Sequence, residues 1–165
     1  MGRTRQTASM GLVASLIAAA LWWAGAPPAA AYPASRLATA QSWCLDDLPA
    51  AGVVANYCNG SLTQTWALTV VDWVGGQPRY QVRNIDTCLV AFASNGRVGT
   101  YRCNSAWADQ VWAFQYVKTE SGVGYFWLRN KHSGRCLGLN VGYSPEAFMT
   151  TCAPYNDQLW RAPGT

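Results

Sequence analysis

The chain has 165 residues, half of them hydrophobic and only 12% charged, with 12 basic and 8 acidic residues for a formal net charge of +4. That length suits one domain. No Lys/Arg cluster stands out, which excludes nucleic acid or an acidic membrane as a partner chosen by bulk electrostatics.

Residues 1–31 read as a secretory signal peptide. Arg3 and Arg5 make a basic start, an apolar run follows from Met10 to Ala26, and Pro27 and Pro28 lead into Ala29, Ala30 and Ala31. This is the layout of an export signal with a small-residue exit. Cleavage after Ala31 leaves Tyr32 first, and Ala38-Thr39-Ala40 is a second candidate exit. The rival reading is an uncleaved anchor, since the apolar run is only slightly short of a membrane-spanning helix. The Pro-Ala tail and the lack of a distal basic stop favour export, so a secreted protein without a membrane span is expected. The mature part keeps 10 basic residues against 8 acidic ones and is nearly neutral.

Residues 32–165 read as one all-β domain of three repeats, about 36–75, 76–121 and 122–163. In the first, only Arg36-Leu37-Ala38-Thr39 can supply a leading strand; Cys44-Leu45, Cys58 and Gln64-Thr65-Trp66 follow. In the second, Tyr80-Gln81-Val82-Arg83 alternates apolar and polar as a half-buried strand does. Cys88 to Phe92, the turn signal Ser94-Asn95-Gly96, Arg97 to Cys103, and Gln110 to Phe114 complete it. The third has Tyr125 to Arg129, Arg135 to Leu139, Phe148 to Cys152, and Gln158-Leu159-Trp160. Four strands per copy predict twelve. No mature segment sustains a 3.6-residue period with helix caps.

The three Gln-x-Trp motifs recur 46 and 48 residues apart, each preceded by a Cys-Leu pair and a later cysteine. Units of this size cannot each bury a face alone, so they share one core, with Trp66, Trp112 and Trp160 at its centre. Each Gln is expected to fix the adjoining loop by hydrogen bonds to backbone. Six cysteines allow fifteen pairings. Their spacing groups them as Cys44 with Cys58, Cys88 with Cys103 and Cys136 with Cys152, in an oxidising compartment. Each bridge would close a loop of about 15 residues, worth ~3 kcal/mol in the chain-entropy account. A metal site is the alternative, disfavoured by the absence of C-x-x-C and by the single histidine, His132. No metal or cofactor is expected.

This set of motifs, in register over about residues 36–163, resembles the ricin B-type lectin family. The resemblance implies a β-trefoil, a six-stranded barrel capped by three hairpins, with up to three shallow sugar sites, commonly for galactose-type glycans. It also implies three kinds of site residue: an Asp after Cys-Leu, an aromatic near the second cysteine, and an Asn or Asp before the Gln. The first repeat keeps Asp46 but has Asn56, then Tyr57, at the aromatic position and Thr63 before Gln64. The second keeps Tyr101 and Asp109 but has Val90 for the acid. The third keeps only Asp157, with Gly138 and Thr150 at the other positions. The candidate ligand residues are therefore Asp46, Asn59 and Gln64, then Tyr101, Asp109 and Gln110.

Bland readings stand beside these. Asp46 precedes Asp47, Pro49 and Gly52 and would serve equally as a turn acid; Tyr101 as a surface aromatic; Asp109 and Asp157 as loop braces. Asn59-Gly60-Ser61 also matches an N-glycosylation sequon. Two functions follow: a secreted module, expected to be monomeric, that binds glycans or polysaccharide; or a trefoil with degenerate sugar sites that docks on a secreted toxin or enzyme through Trp73, Trp107, Tyr143 and Tyr155. An enzyme is not expected. His132 lies in a turn-like Asn130-Lys131-His132-Ser133-Gly134 run, and nothing pairs two carboxylates across a cleft.

Overall fold

The structure is a computed structural model and describes residues 31–50, 52–92, 95–141 and 145–161. Residues 1–30 of the signal segment, in its export and anchor readings alike, lie outside them, as does Tyr143, and only Ala31 falls within. Twelve strands are formed among the described residues, joined by turns and two single-turn 3₁₀ helices. The first repeat carries β1 (Ala31–Arg36), β2 (Trp43–Leu48), β3 (Gly52–Tyr57) and β4 (Thr65–Val74). The second carries β5 (Gln77–Asn84), β6 (Thr87–Ala91), β7 (Val98–Arg102) and β8 (Val111–Glu120). The third carries β9 (Val123–Asn130), β10 (Cys136–Leu139), β11 (Ala147–Thr150) and β12 (Trp160–Arg161).

Antiparallel pairing runs β1–β4–β5–β8–β9–β12. The ring closes where Thr39 bridges Trp160 and where the Ala40 and Arg161 N–H groups donate to the Leu159 and Ala38 carbonyls at 2.8 Å each. Hairpins β2–β3, β6–β7 and β10–β11 cap this six-stranded barrel. The fold is a β-trefoil. Closure leaves the barrel no open edge among the described residues, which is how antiparallel architectures avoid an unpaired strand.

Threefold order reaches into local detail. The β4–β5 turn uses Gly75 and Gly76, and the β8–β9 turn uses Ser121 and Gly122, all four at positive φ. That is the turn chemistry whose twist matches two-residue hairpins. Both long hairpins break register at corresponding places, between Val70 and Asp72 and between Tyr116 and Lys118, and such bulges increase the local twist.

The core explains the repeated signature. Trp66, Trp112 and Trp160 are fully buried, as are Leu45, Leu89 and Leu137. Each indole N–H donates to the carbonyl of the Leu that follows the first cysteine: Trp66 to Leu45 at 2.9 Å, Trp112 to Leu89 at 3.0 Å, Trp160 to Leu137 at 2.9 Å. The Cys-Leu and Gln-x-Trp motifs are thus two ends of one contact. The three disulfides join the pairs grouped by spacing, each tying the second strand of a repeat to the end of the third.

Two features differ from the sequence expectation. The first leading strand is β1, not Arg36–Thr39: Ser35 pairs with Trp66 and Arg36 with Thr65, after which Leu37 turns wholly into the core. The register is set by Leu37 and by pairing with β4, neither visible in a short unpatterned stretch. An exit after Ala40 would delete β1 and Leu37, whereas one after Ala31 would keep Tyr32–Arg36. Second, 3₁₀ turns at Leu62–Gln64 and Ala108–Gln110 precede two of the Trp strands. They are too short to leave a period in the sequence.

Candidate functional site

The Gln of each motif is a buried clamp. Gln64 is fully buried; its Nε2 donates to the Tyr57 carbonyl at 2.8 Å and its Oε1 accepts from the Asn59 N–H at 3.0 Å. Gln110 repeats this with the Arg102 carbonyl at 2.9 Å and the Asn104 N–H at 2.8 Å, and Gln158 accepts from the Ala153 N–H at 2.9 Å. Asn59 and Asn104 each cap the loop that follows, their Oδ1 atoms accepting from the Ser61 and Ala106 N–H groups. Gln64, Gln110 and Asn59 are therefore engaged with backbone beside the candidate sites.

Asp46 lies on β2 and is 1% exposed. Asn56 and Gln64 both donate to its Oδ2, at 3.1 and 3.0 Å, while Oδ1 is buried with no donor among the described residues. The residue that replaces the expected aromatic thus turns inward and covers the acid. On the outer surface, Tyr57 is 73% exposed and stacks on Trp43 with ring centroids 4.4 Å apart.

The second repeat is open. Tyr101, on β7, is 52% exposed and stacks against Trp107 at 5.9 Å with an interplanar angle of 29°. Trp107, Ala108 and Asp109 of the 3₁₀ turn line a depression of about 470 Å³ together with His132. Asp109 Oδ1 is buried without a donor among the described residues. His132 arrives from the third repeat because Asn130 Nδ2 donates to the Asp109 carbonyl at 2.8 Å while its Oδ1 accepts from the His132 and Ser133 N–H groups at 3.0 and 3.1 Å. This clamp has a counterpart in Asn84, whose Nδ2 donates to the Leu62, Thr63 and Thr65 carbonyls.

In the third repeat Phe148 fills the place of the missing acid. A Cβ on Gly138 would stand 2.9 Å from the tip of the Phe148 ring, so a side chain enters there only if that ring moves. Asp157 lines a separate depression with Gln41, Asn140, Glu146 and Phe148.

Another cleft, of about 590 Å³, runs between the β2–β3 and β6–β7 hairpins and holds Asp47, Phe92, Asn95, Arg97 and Thr100. Asp47 accepts from the Thr100 hydroxyl at 3.1 Å and from Thr87 at 3.5 Å. Burial pushes its carboxyl above the ordinary 3.8 and outweighs those two bonds. A folded value raised above the unfolded one means that the fold loses stability as pH rises from about 3.8 through the raised value. Asp47→Asn is accordingly expected to melt slightly higher than the parent at neutral pH. The gain should vanish below that window; thermal midpoints across a pH series check it.

The ricin-type β-trefoil lectin domain model matches residues 34–160. The chain belongs to that family. This ricin-type domain is also similar in fold to several solved structures. One is a designed threefold-symmetric protein, ThreeFoil, at 23% identity and a TM-score of 0.62, covering 80% of this chain and 99% of that one. A mosquitocidal holotoxin matches at 16% identity and TM-score 0.64, covering 79% and 16% respectively. The Polyporus squamosus lectin, solved with a human-type influenza-binding epitope, matches at 18% identity and TM-score 0.60, covering 78% and 48%. The ricin-type domain thus spans less than half the length of the latter two chains. A comparison with curated protein sequences returned no match.

Sequence reasoning did not place Trp43, Phe148 or His132 at a site. His132 could not be found by aligning repeats, because it reaches the second repeat from the third. Trp107 was visible only as a loop aromatic, and its stacking on Tyr101 depends on the 3₁₀ turn.

Proposed function

We propose that this ricin-type domain is a secreted carbohydrate-binding module and that its principal sugar site is the Trp107–Asp109–His132 depression of the second repeat, with Tyr101 stacked on Trp107 beside it. The observation that carries the reading is the exposed aromatic pair beside an acid whose buried Oδ1 has no donor among the described residues. A sugar ring presents a C–H face that packs on an aromatic and hydroxyls that need fixed acceptors. An acceptor buried without a donor costs about 1–3 kcal/mol, part of which a sugar hydroxyl that reached it would recover. Asp46 of the first repeat is sealed by Asn56 and Gln64, and the third repeat is filled by Phe148, so these two contribute less. A site of few contacts binds a single sugar weakly, and avidity for clustered or polymeric glycans requires a second position on the same protein.

Trp107→Ala or Asp109→Asn is expected to weaken glycan binding roughly tenfold, the equivalent of one stacking or charged hydrogen-bond contact. Asp46→Asn should leave it nearly unchanged. Titration against a panel of neutral mono- and oligosaccharides reads the result, and a Trp107→Ala protein that binds like the parent defeats the assignment. Export is supported by the three disulfides, and N-terminal sequencing of the mature protein tests cleavage after Ala31. The reading is of a binder without chemistry of its own: all six cysteines are bridged, and the single histidine faces Trp107 and Asp109 in an open depression.

A second reading, docking on a protein partner such as a toxin subunit, is favoured by the exposed Trp73, Val74 and Tyr116 on the long hairpins. Aromatics of this kind are common interface anchors. Sedimentation with any co-expressed neighbour, compared for the parent and Trp73→Ala, tests it.

A further inference from the structure

A cavity of about 670 Å³ lies between the β4–β5 and β8–β9 hairpins, outside all three positions that follow the Cys-Leu pairs. Its walls include Phe114, Tyr116 and Trp127, and three cations stand at it: Arg79, Arg129 and Lys131. The indole N–H of Trp127 is already spent on the Ala153 carbonyl at 3.0 Å, so the ring offers this cavity only apolar contact. Tyr116 is 62% exposed.

The charges do not cancel. Asp72 takes Nε and Nη2 of Arg79 at 2.5 Å each and Nζ of Lys131 at 3.2 Å. Those hydrogen bonds, Arg79's first, hold its carboxyl below the ordinary value, so it stays ionised. One carboxylate therefore answers three cations, leaving a local excess of two positive charges on a domain that is otherwise almost neutral. Arg129 keeps donors to spare: among the described residues only its Nε is bonded, to the Gly134 carbonyl at 2.7 Å. Aromatic walls with a cationic rim suit a ring that has a C–H face and carries an anion.

We propose that this cavity binds an acidic sugar unit of a glycan, with Lys131 and Arg129 meeting its anionic group and Tyr116 and Trp127 flanking the ring. The inference rests on the reading that the chain binds carbohydrate, and adds a second position and a preference in charge. The two positions share one turn. Asn130–Gly134 puts Lys131 at this cavity and His132 at the Trp107 depression, and the turn is held by the Lys131 N–H on the Val111 carbonyl at 2.8 Å and by Asn130 on Asp109. One glycan strand crossing that turn would meet both.

The test is titration of the purified protein with tetragalacturonate, a neutral galactose tetramer and a sulfated galactose tetramer, at low and high salt. The acidic tetramers should bind roughly tenfold tighter than the neutral one at low salt, the margin shrinking as salt rises. Carboxylate over sulfate, or the reverse, identifies the anion. Lys131→Glu should erase the margin while leaving neutral binding and the thermal midpoint close to the parent's. Lys131→Gln repeats the test without a new charge. Equal binding of acidic and neutral tetramers, or a margin that survives both variants, overturns the proposal and leaves the Trp107 site standing. If no tetramer binds, both readings fall together; if Trp107→Ala removes neutral binding but the acidic margin persists, this one holds.

Discussion

Gln110→Leu is expected to destabilise the fold by ~3–6 kcal/mol, read as a lower denaturation midpoint at unchanged slope. Leucine is of similar size, so packing is nearly conserved and the loss comes from hydrogen bonds. The fully buried Gln110 amide satisfies the Arg102 carbonyl, the Asn104 N–H and the Gln81 side-chain amide. Each polar group left buried without a partner costs about 1–3 kcal/mol. A domain of this size has about 5–15 kcal/mol in total, so one side chain that touches no solvent decides a large share of the margin. Gln110→Glu separates the causes. It keeps an acceptor for Asn104, but its ionised carboxylate would face the Arg102 carbonyl. The variant should recover stability in acid, where the protonated group can donate again.

Trp112→Ala is expected to cost about as much, ~3–5 kcal/mol for removing a fully buried indole, with the orphaned Leu89 carbonyl added. Trp73→Ala on the same type of strand should cost a small fraction of that, because Trp73 is 61% exposed. A chemical-denaturation series on the two variants checks the contrast. Near-equal losses would mean that the exposed ring packs in solution and that the shared core is not where the stability lies.

Trp112 and Gln110 are also where the sequence was most legible. A motif that recurs three times with fixed partners exposes the contacts that must recur: indole to Leu carbonyl, amide to loop backbone, sulfur to sulfur. The disulfide pairs were readable because each closes a short loop within one repeat. Asn84 and Asn130 repeat as well, but an Asn at a strand end is indistinguishable from a turn residue until the carbonyls it bonds are in place. The candidate site was legible only in part. Tyr101 and Asp109 were found by position within a repeat, whereas Trp107 and His132 depend on a 3₁₀ turn and on a neighbouring repeat. Asp46 shows the converse: the acid is in register, yet Asn56 folds over it, and only the local packing reveals which way that amide points. Phe148 closes the third repeat from a position two residues away from the one at which an aromatic was sought.

The three disulfides each lie inside one repeat, with partners 14, 15 and 16 residues apart, while the barrel closes by joining the segment just after its first strand to its last. These two kinds of contact belong to different stages of assembly. Short loops close quickly, and pairings between distant segments set the slow step of folding. Each bridge can therefore form while the emerging chain still lacks the rest of the barrel, and the native partner is the nearest cysteine as each repeat emerges. Little reshuffling is needed before the last repeat arrives. Until Trp160 and Thr39 meet, however, the first two repeats hold an open sheet edge. The protein is most exposed to aggregation at that late moment, after its covalent framework is complete.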